Sequence, residues 1–325
     1  MKQLTKDILI SGLMGFVIPA MVLNFAAAIW RQGAPSAVET VPGTTPGSTL
    51  SIPVRIRQGD TVTDEDMDAY LVGVVLAEMP ASFEPEALKA QSVVARTYAR
   101  KAYITGGKHG DGSVCTESAC CQAYTDPASY LENGGTRENV DKIRRAVGDT
   151  SGEVLTYDGK IIEATYFSCS GGSTEDAAAV WGTEYPYLQA VESPGEEAAA
   201  YFRSTAEFTR EEVESRLDIT LAGNPETWIS SVTYTDGGGV DTICIGGVYF
   251  RGTEVRLRLG LRSASFSMEP HDQGITVTTK GFGHRVGMSQ YGADAMAVDG
   301  STYQEILAHY YRGTQLTQLH TQTDK

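Results

Sequence analysis

The stretch YLVGVVLAEMP, residues 70–80, followed shortly by PEALKAQSVVARTYARKAYI, residues 85–104, decides how this chain folds. Thr63 and Asp66 form a variant of the capping box ahead of the first run, and Pro80 stops it, so the pattern predicts a helix ending near Met79. Pro85 at a first helical position opens a second helix, with Leu88, Val93 or Val94, and Ala95 as its apolar stripe. One charge breaks the apolar end of the first helix, Glu78. The macrodipole at a helix C-terminus disfavours a carboxylate by about 0.3–1 kcal/mol, which raises its pKa. The neighbours Val74, Val75, Leu76, Ala77 and Met79 are apolar. If Glu78 faces a cleft, desolvation keeps it protonated near neutral pH, as a general acid requires. On position alone, a solvated helix-end glutamate is the plain alternative.

Downstream, NVDKIRRAVGD gives a short helix, and EVLTYDGKIIEATYF reads as a hairpin around the Asp158-Gly159 pair. TREEVESRLDI is another short helix, and residues 228–280 are rich in strands with glycine-containing turns. The chain closes with the loop KGFGHRVG, a helix over MSQYGADAMAVDG with Ser289 as a candidate N-cap, and a last helix around TYQEILAHYY. Helices in front and strands behind indicate an α+β fold with two lobes, a helical catalytic region packed on strand-rich parts.

The 325 residues, 41% hydrophobic and 21% charged, suffice for a core that needs no disulfide staples. A net charge of −15 and a pI near 4.8 argue against nucleic acid or anionic lipid as the main partner. Residues 8–30 carry no charge and have the length of a membrane span. Lys2 and Lys6 precede the span and Arg31 follows it, which places the N-terminus in the cytoplasm and the rest outside. A cleaved signal peptide is the competing reading, but the stretch is long for one. Residues 31–52, rich in Pro, Gly, Ser and Thr, read as a flexible tether. The expected organisation is therefore a cytoplasmic stub over 1–7, an anchor over 8–30, a linker over 31–52, a folded domain over 53–316 and a polar tail over 317–325.

The five cysteines are Cys115, Cys120, Cys121, Cys169 and Cys244. His109, Cys115 and Cys121, with five residues between them at each step, could wrap one ion, and an imidazole with two thiolates selects zinc. Cys120 could replace Cys121, and a disulfide is the competing use of the same thiols outside the cytoplasm. YFSCSGG offers a serine and a cysteine but no elbow or ordered triad, so it reads as the lining of a groove. GFGHRVG reads as a structural turn beside the active site.

Three segments, YLVGVVLAEMPASFEPEALKAQSVVARTYA, YFSCSGGSTEDAAAVWGTEYPYLQAV and GFGHRVGMSQYGADAMA, in this order and behind an N-terminal anchor, resemble the stage II sporulation protein D family over residues 53 to about 316. The resemblance implies a membrane-anchored peptidoglycan lytic transglycosylase acting in engulfment, with its catalytic domain on the mother-cell side of the septal membrane. Such an enzyme cleaves the MurNAc-GlcNAc β-1,4 bond of glycan strands stripped of stem peptides and leaves 1,6-anhydro-MurNAc ends. It implies Glu78 as acid and then base, Lys89, Gln91, Arg96, Tyr166 and Ser168 as residues that orient the glycan, and a structural zinc on His109, Cys115 and Cys121, as in clostridial-type members. It also implies the stage II sporulation proteins P and M as partners. Arg285 departs from the family's small residue at that place, and Cys169 and Cys244 receive no role. Two other functions fit the same chain, a non-catalytic wall-binding or autolysin-modifying protein and a zinc hydrolase with Glu78 as base.

Overall fold

In a computed structural model, which describes residues 52–319, the first predicted helix is α1, Met67–Glu78. Asp66 caps it, its Oδ1 accepting from Ala69 N at 3.0 Å, and Met79 N closes the last turn onto Val75 O. Thr63 takes no part in that cap, because it lies in a strand. Strands β1, Pro53–Gln58, and β2, Thr61–Asp66, form an antiparallel hairpin that runs straight into α1. Asp66, which ends β2 and caps α1 at once, replaces the capping box that the spacing suggested.

The second predicted helix is α2, Pro85–Thr105, with Pro85 in its first turn and Gly106, φ 91°, as a left-handed C-cap. It carries no simple stripe. Ala87, Leu88 and the whole run from Gln91 to Thr97 are buried, because α2 is packed against α1 and against elements that arrive later in the chain. These are β3, Ser113–Cys115, α4, Arg137–Asp149, and β4, Glu153–Tyr157, with α8, Gln290–Val298, and α9, Tyr303–Tyr310. A short helix α3, Pro127–Glu132, precedes α4.

The predicted hairpin is present as β4 and β5, Lys160–Ile161, with Asp158 and Gly159 both at positive φ, as a type I′ turn demands. The third strand of that sheet, β14, Gln315–Gln318, pairs antiparallel with β4, and Leu319 is buried. Ordered structure thus runs past residue 316, where the folded domain was expected to end. Between these parts lie β6, Tyr166–Phe167, and β13, Met288–Ser289, a two-residue parallel pair. Ser289 caps α8 as expected, its Oγ accepting from Gly292 N.

Helix α5, Ala177–Trp181, leads to the strand-rich segment. It holds β7, Arg203–Thr209, α6, Arg210–Leu217, β8, Ile229–Tyr234, β9, Val240–Ile245, and β10, Val248–Arg251. Helix α7, Gly252–Leu259, then precedes β11, Phe266–His271, and β12, Gly274–Lys280. The sheets run β10-β9-β8 and β11-β12-β7.

The described residues are α+β and fall within one compact unit, Ser48–Lys325. Their apolar side chains form two clusters. One surrounds α1, α2 and α4 and takes in Ile306 and Tyr310 of α9, and the other gathers Val213, Leu217, Trp228, Ile243, Val255, Leu259 and Ile275. No helix among the described residues is long and apolar enough to cross a membrane. The expected anchor over 8–30 and nearly all of the tether over 31–52 lie outside the described residues.

Between the two clusters sits Arg285, 2% exposed and at φ 66°. Its guanidinium donates to Glu175 Oε1 at 3.0 Å, Ser170 O at 2.7 Å, Ser173 O at 2.7 Å and Gly237 O at 2.8 Å. Glu175 Oε1 also accepts from Gly239 N at 2.8 Å and Thr235 Oγ1 at 3.0 Å. This pair ties the polar segment after β6 to the β8–β9 turn, which gives the residue that departs from the family pattern a structural use. Removing one member of such a pair strands the other charge. Arg285→Met is expected to lower the free energy of unfolding by about 3–5 kcal/mol, measured by urea denaturation, with Arg285→Met combined with Glu175→Leu recovering part of the loss.

Candidate active site

Glu78 is the last residue of α1 and lines a cleft of about 790 Å³. Its Oε1 accepts from Ala123 N at 2.7 Å and from the Tyr166 phenol at 3.1 Å. With both donors on one oxygen, Oε2 is left to carry a proton. Burial raises the Glu78 pKa above the ordinary carboxylate value, opposed by the Ala123 N–H, the Tyr166 hydroxyl and the nearby Gln290 amide. The raised pKa expected from the sequence is therefore present, with desolvation as its leading cause. Gln290 is 6% exposed, and its Nε2 approaches the carboxyl without making a hydrogen bond of normal geometry. A buried amide hydrogen without a partner in the protein is uncommon, and here it stands on the wall of the cleft.

Three local devices hold this arrangement. Gly73 in α1 has no side chain, and a Cβ there would meet the Tyr124 ring at 2.2 Å, so that ring lies directly on the helix. Thr125 N also bonds to Gly73 O at 3.0 Å, fixing the segment that presents Ala123 N. Gln122, fully buried, accepts from Tyr70 OH at 3.3 Å and donates from Nε2 to Tyr166 OH at 3.1 Å, which leaves the phenol hydrogen for Glu78. Burial raises the Tyr166 pKa well above that of a free phenol, so it stays a neutral donor.

Of the residues expected to orient a substrate, Tyr166 and Ser168 line the cleft. Lys89, Gln91 and Arg96 do not. Lys89 pairs with Glu86 at 3.0 Å and Asp149 at 3.3 Å. Arg96 is fully buried, bonded to Asp68 at 3.0 Å and to the carbonyls of Val147 and Glu153, both at 3.2 Å. Gln91 is fully buried, and neither polar atom of its amide finds a protein partner. Gln91 and Arg96 lie on the enclosed side of α2 and Lys89 is held by two carboxylates outside the cleft lining, so the expectation that they face glycan gives way to roles inside the fold.

The cleft also holds His284 of the GFGHRVG turn and residues that the sequence did not single out. Trp181 and Phe282, 41% and 36% exposed, offer apolar faces, and Glu163 is the other carboxylate among its described lining residues. His284 lies between the rings of Phe167 and Trp181, and burial pushes its imidazole down to about 4, so it is neutral at pH 7. Its Nδ1 accepts from Val286 N at 3.1 Å, which agrees with a turn packed beside the site. Only a fold could bring these residues together, since Glu163 and Trp181 lie more than a hundred positions before Phe282 and His284 in the chain.

His109, Cys115, Cys120 and Cys121 converge with ligand atoms all within 4.8 Å of one another, and Cys120 and Cys121 line the same cleft. Left-handed glycines at Gly106, Gly107, Gly110 and Gly112 let the chain turn after α2, and β3 pairs parallel with β1 to bring Cys115 back. All five cysteines are free thiols in the structure. An imidazole beside soft sulfurs fits zinc by donor chemistry. Cys169 donates to Glu196 at 3.1 Å and Cys244 is buried in β9, so both are structural.

The family described as stage II sporulation protein matches residues 57–157. Stage II sporulation protein D of Bacillus subtilis is 36% identical, over 98% of this chain and 96% of its own length. Its counterpart in Bacillus amyloliquefaciens is 38% identical over 83% and 80%. The amidase enhancer of Bacillus subtilis is 31% identical over 76% of this chain and 40% of its own length. The first two likenesses run through both segments that meet at Glu78, from the helix that carries the carboxyl to the loop and strand that hold it, and the chain belongs to the stage II sporulation protein D family.

Proposed function

We propose that the protein is a peptidoglycan lytic transglycosylase acting on stem-peptide-free glycan strands during engulfment, and that Glu78 is its general acid and base. The observation that supports this reading most is a half-buried carboxyl with a raised pKa, held by one oxygen on the wall of an open cleft. Protonated Glu78 gives its proton to the glycosidic oxygen as the bond from the MurNAc anomeric carbon breaks. The resulting carboxylate takes the proton of the same sugar's C6 hydroxyl as that oxygen attacks the anomeric carbon. The products are a GlcNAc hydroxyl and a 1,6-anhydro ring, and the carboxyl ends protonated as it began. No water is consumed and no second carboxylate is needed, in contrast to ordinary glycoside hydrolysis.

Between the two transfers the carboxylate is stabilised by Ala123 N–H and Tyr166, with the unpartnered Gln290 amide within reach. Ser168 is placed to meet sugar hydroxyls, and the faces of Trp181 and Phe282 to meet sugar rings. A zinc ion on His109, Cys115 and Cys121, when bound, supplies a cross-link for the loop that ends at Ala123. The membrane anchor, the cytoplasmic N-terminus, the placement outside the mother-cell membrane and the partnership with sporulation proteins P and M belong to this reading. A second reading, a wall-binding modifier without catalysis, draws on the likeness to a protein named amidase enhancer.

Incubation with denuded glycan and mass spectrometry of the products separates the two. The wild type is expected to yield anhydro ends, and Glu78→Gln is expected to lose about 10²- to 10⁴-fold in kcat while still binding glycan. Binding without any product supports the modifier, and reducing ends in place of anhydro ends overturn the transglycosylase and put Glu163 in the role of base. The raised pKa also sets the pH dependence. Activity needs the protonated form, so it is lost as pH rises through the Glu78 pKa. Tyr166→Phe removes a bond that favours the carboxylate, and the alkaline limb of its pH–rate profile moves to higher pH. Chelation of the metal is expected to loosen the loop and withdraw Ala123 N–H from Glu78. Turnover then falls and the alkaline limb shifts in the same direction, both reversed by added zinc.

A further inference from the structure

We infer that Cys120 is a fourth protein ligand, so that the metal site beside the cleft is a closed one with three thiolates and one imidazole. This deepens the reading of zinc given above and rests on it. The sequence pattern had offered Cys120 only as a substitute for Cys121, but the fold brings both thiols to the same place. Cys120 Sγ lies 3.8 Å from His109 Nε2 and 3.9 Å from Cys121 Sγ, and Cys121 Sγ lies 3.5 Å from His109 Nε2. Zinc bonds of about 2.3 Å to sulfur and 2.1 Å to nitrogen, spread at tetrahedral angles, need edges of about 3.8 Å between sulfurs and about 3.6 Å from nitrogen to sulfur. The three observed separations match those edges to within about 0.2 Å, and Cys115 stands within 4.8 Å of all the other donors.

The local backbone gives a second argument. Successive side chains diverge in regular helices and strands, so adjacent cysteines do not ordinarily share a target. Here Cys120 N and Cys121 N both bond to Glu117 O at 2.9 Å, a tight turn that puts the two thiols on one side. Thiols are weak hydrogen-bond donors and gain little from one another, whereas a shared cation rewards all four groups at once. Three thiolates leave the complex with one net negative charge, and the Lys108 ammonium, which donates to Cys120 O, stands beside it. Four protein ligands leave no position for water. The ion therefore fixes the segment from Cys115 to Cys121 and does not activate a nucleophile, which separates this site from that of a zinc hydrolase.

Zinc X-ray absorption on the full, zinc-loaded chain tests the ligand count without any substitution. Three sulfurs at about 2.3 Å and one nitrogen at about 2.1 Å are expected. Two sulfurs with two lighter atoms overturn the inference about Cys120 and leave a zinc site standing, while a chain that takes up no zinc overturns the metal reading beneath it. As a second measurement, Cys120→Ser in the cobalt-substituted chain is expected to lose about a third of the thiolate-to-metal charge-transfer absorption of the wild type. It is also expected to release metal to a chelator at least about tenfold more readily, with Cys244→Ser as the control that changes neither. Equal absorption and equal retention in Cys120→Ser overturn the proposal.

Discussion

One carboxylate oxygen, Glu78 Oε1, receives hydrogen bonds from a backbone amide and a phenol that belong to two distant segments. Much of the architecture serves to keep those three groups together. The hairpin of β1 and β2 delivers the cap of α1, the Gly73 notch seats Tyr124, and the short pairing of β6 with β13 sets Tyr166 beside the start of α8. A buried acid whose donors were imported from one element would tolerate drift in the others. This one does not, because its proton affinity is a balance between dehydration, which raises it, and two fixed donors, which lower it.

Helix α2 explains why polar residues in the neighbourhood of a catalytic group need not serve catalysis. Packed against helices and strands along most of its length, it carries Arg96, Gln91, Ser92 and Thr97 into the interior. Arg96 binds the ends of α1 and α4 and the start of β4 through one planar group, where a shorter cation would satisfy fewer acceptors. Thr97 Oγ1 accepts from Leu155 N at 3.0 Å and so docks β4 onto the helix. The polar face of α2 is thus the framework on which the acid's own helix is mounted.

Much of this was legible in the chain, and the gaps have physical causes. Local signals worked where local physics decides: proline at the start of α2, the Asp158-Gly159 turn, Ser289 as a cap and Glu78 at an apolar helix end. The cap of α1 was misassigned because Thr63 is equally suited to a strand, and β-pairing with β1 outweighed the motif. Lys89, Gln91 and Arg96 misled for a different reason. A motif marks positions that matter without saying whether they face substrate or core, and composition cannot distinguish a polar residue on a wet face from one turned inward. Trp181, Phe282 and Glu163 carry no local signal at all, and Gln290 shows only as a polar residue at a helix start, since their common wall exists only after distant segments are joined.

The last ordered strand has a consequence for how the chain comes into being. β14 pairs with β4 across about 160 positions of sequence, and Leu319 N reaches back to Gly152 O at 2.8 Å. At ordinary rates of synthesis the open side of β4, with its apolar Val154 and Leu155, waits on the order of ten seconds or more for its neighbour. An unpaired strand edge of that kind recruits other edges. The newly made chain therefore passes through a vulnerable interval that the finished protein no longer shows, and its first half cannot be completed by its own residues.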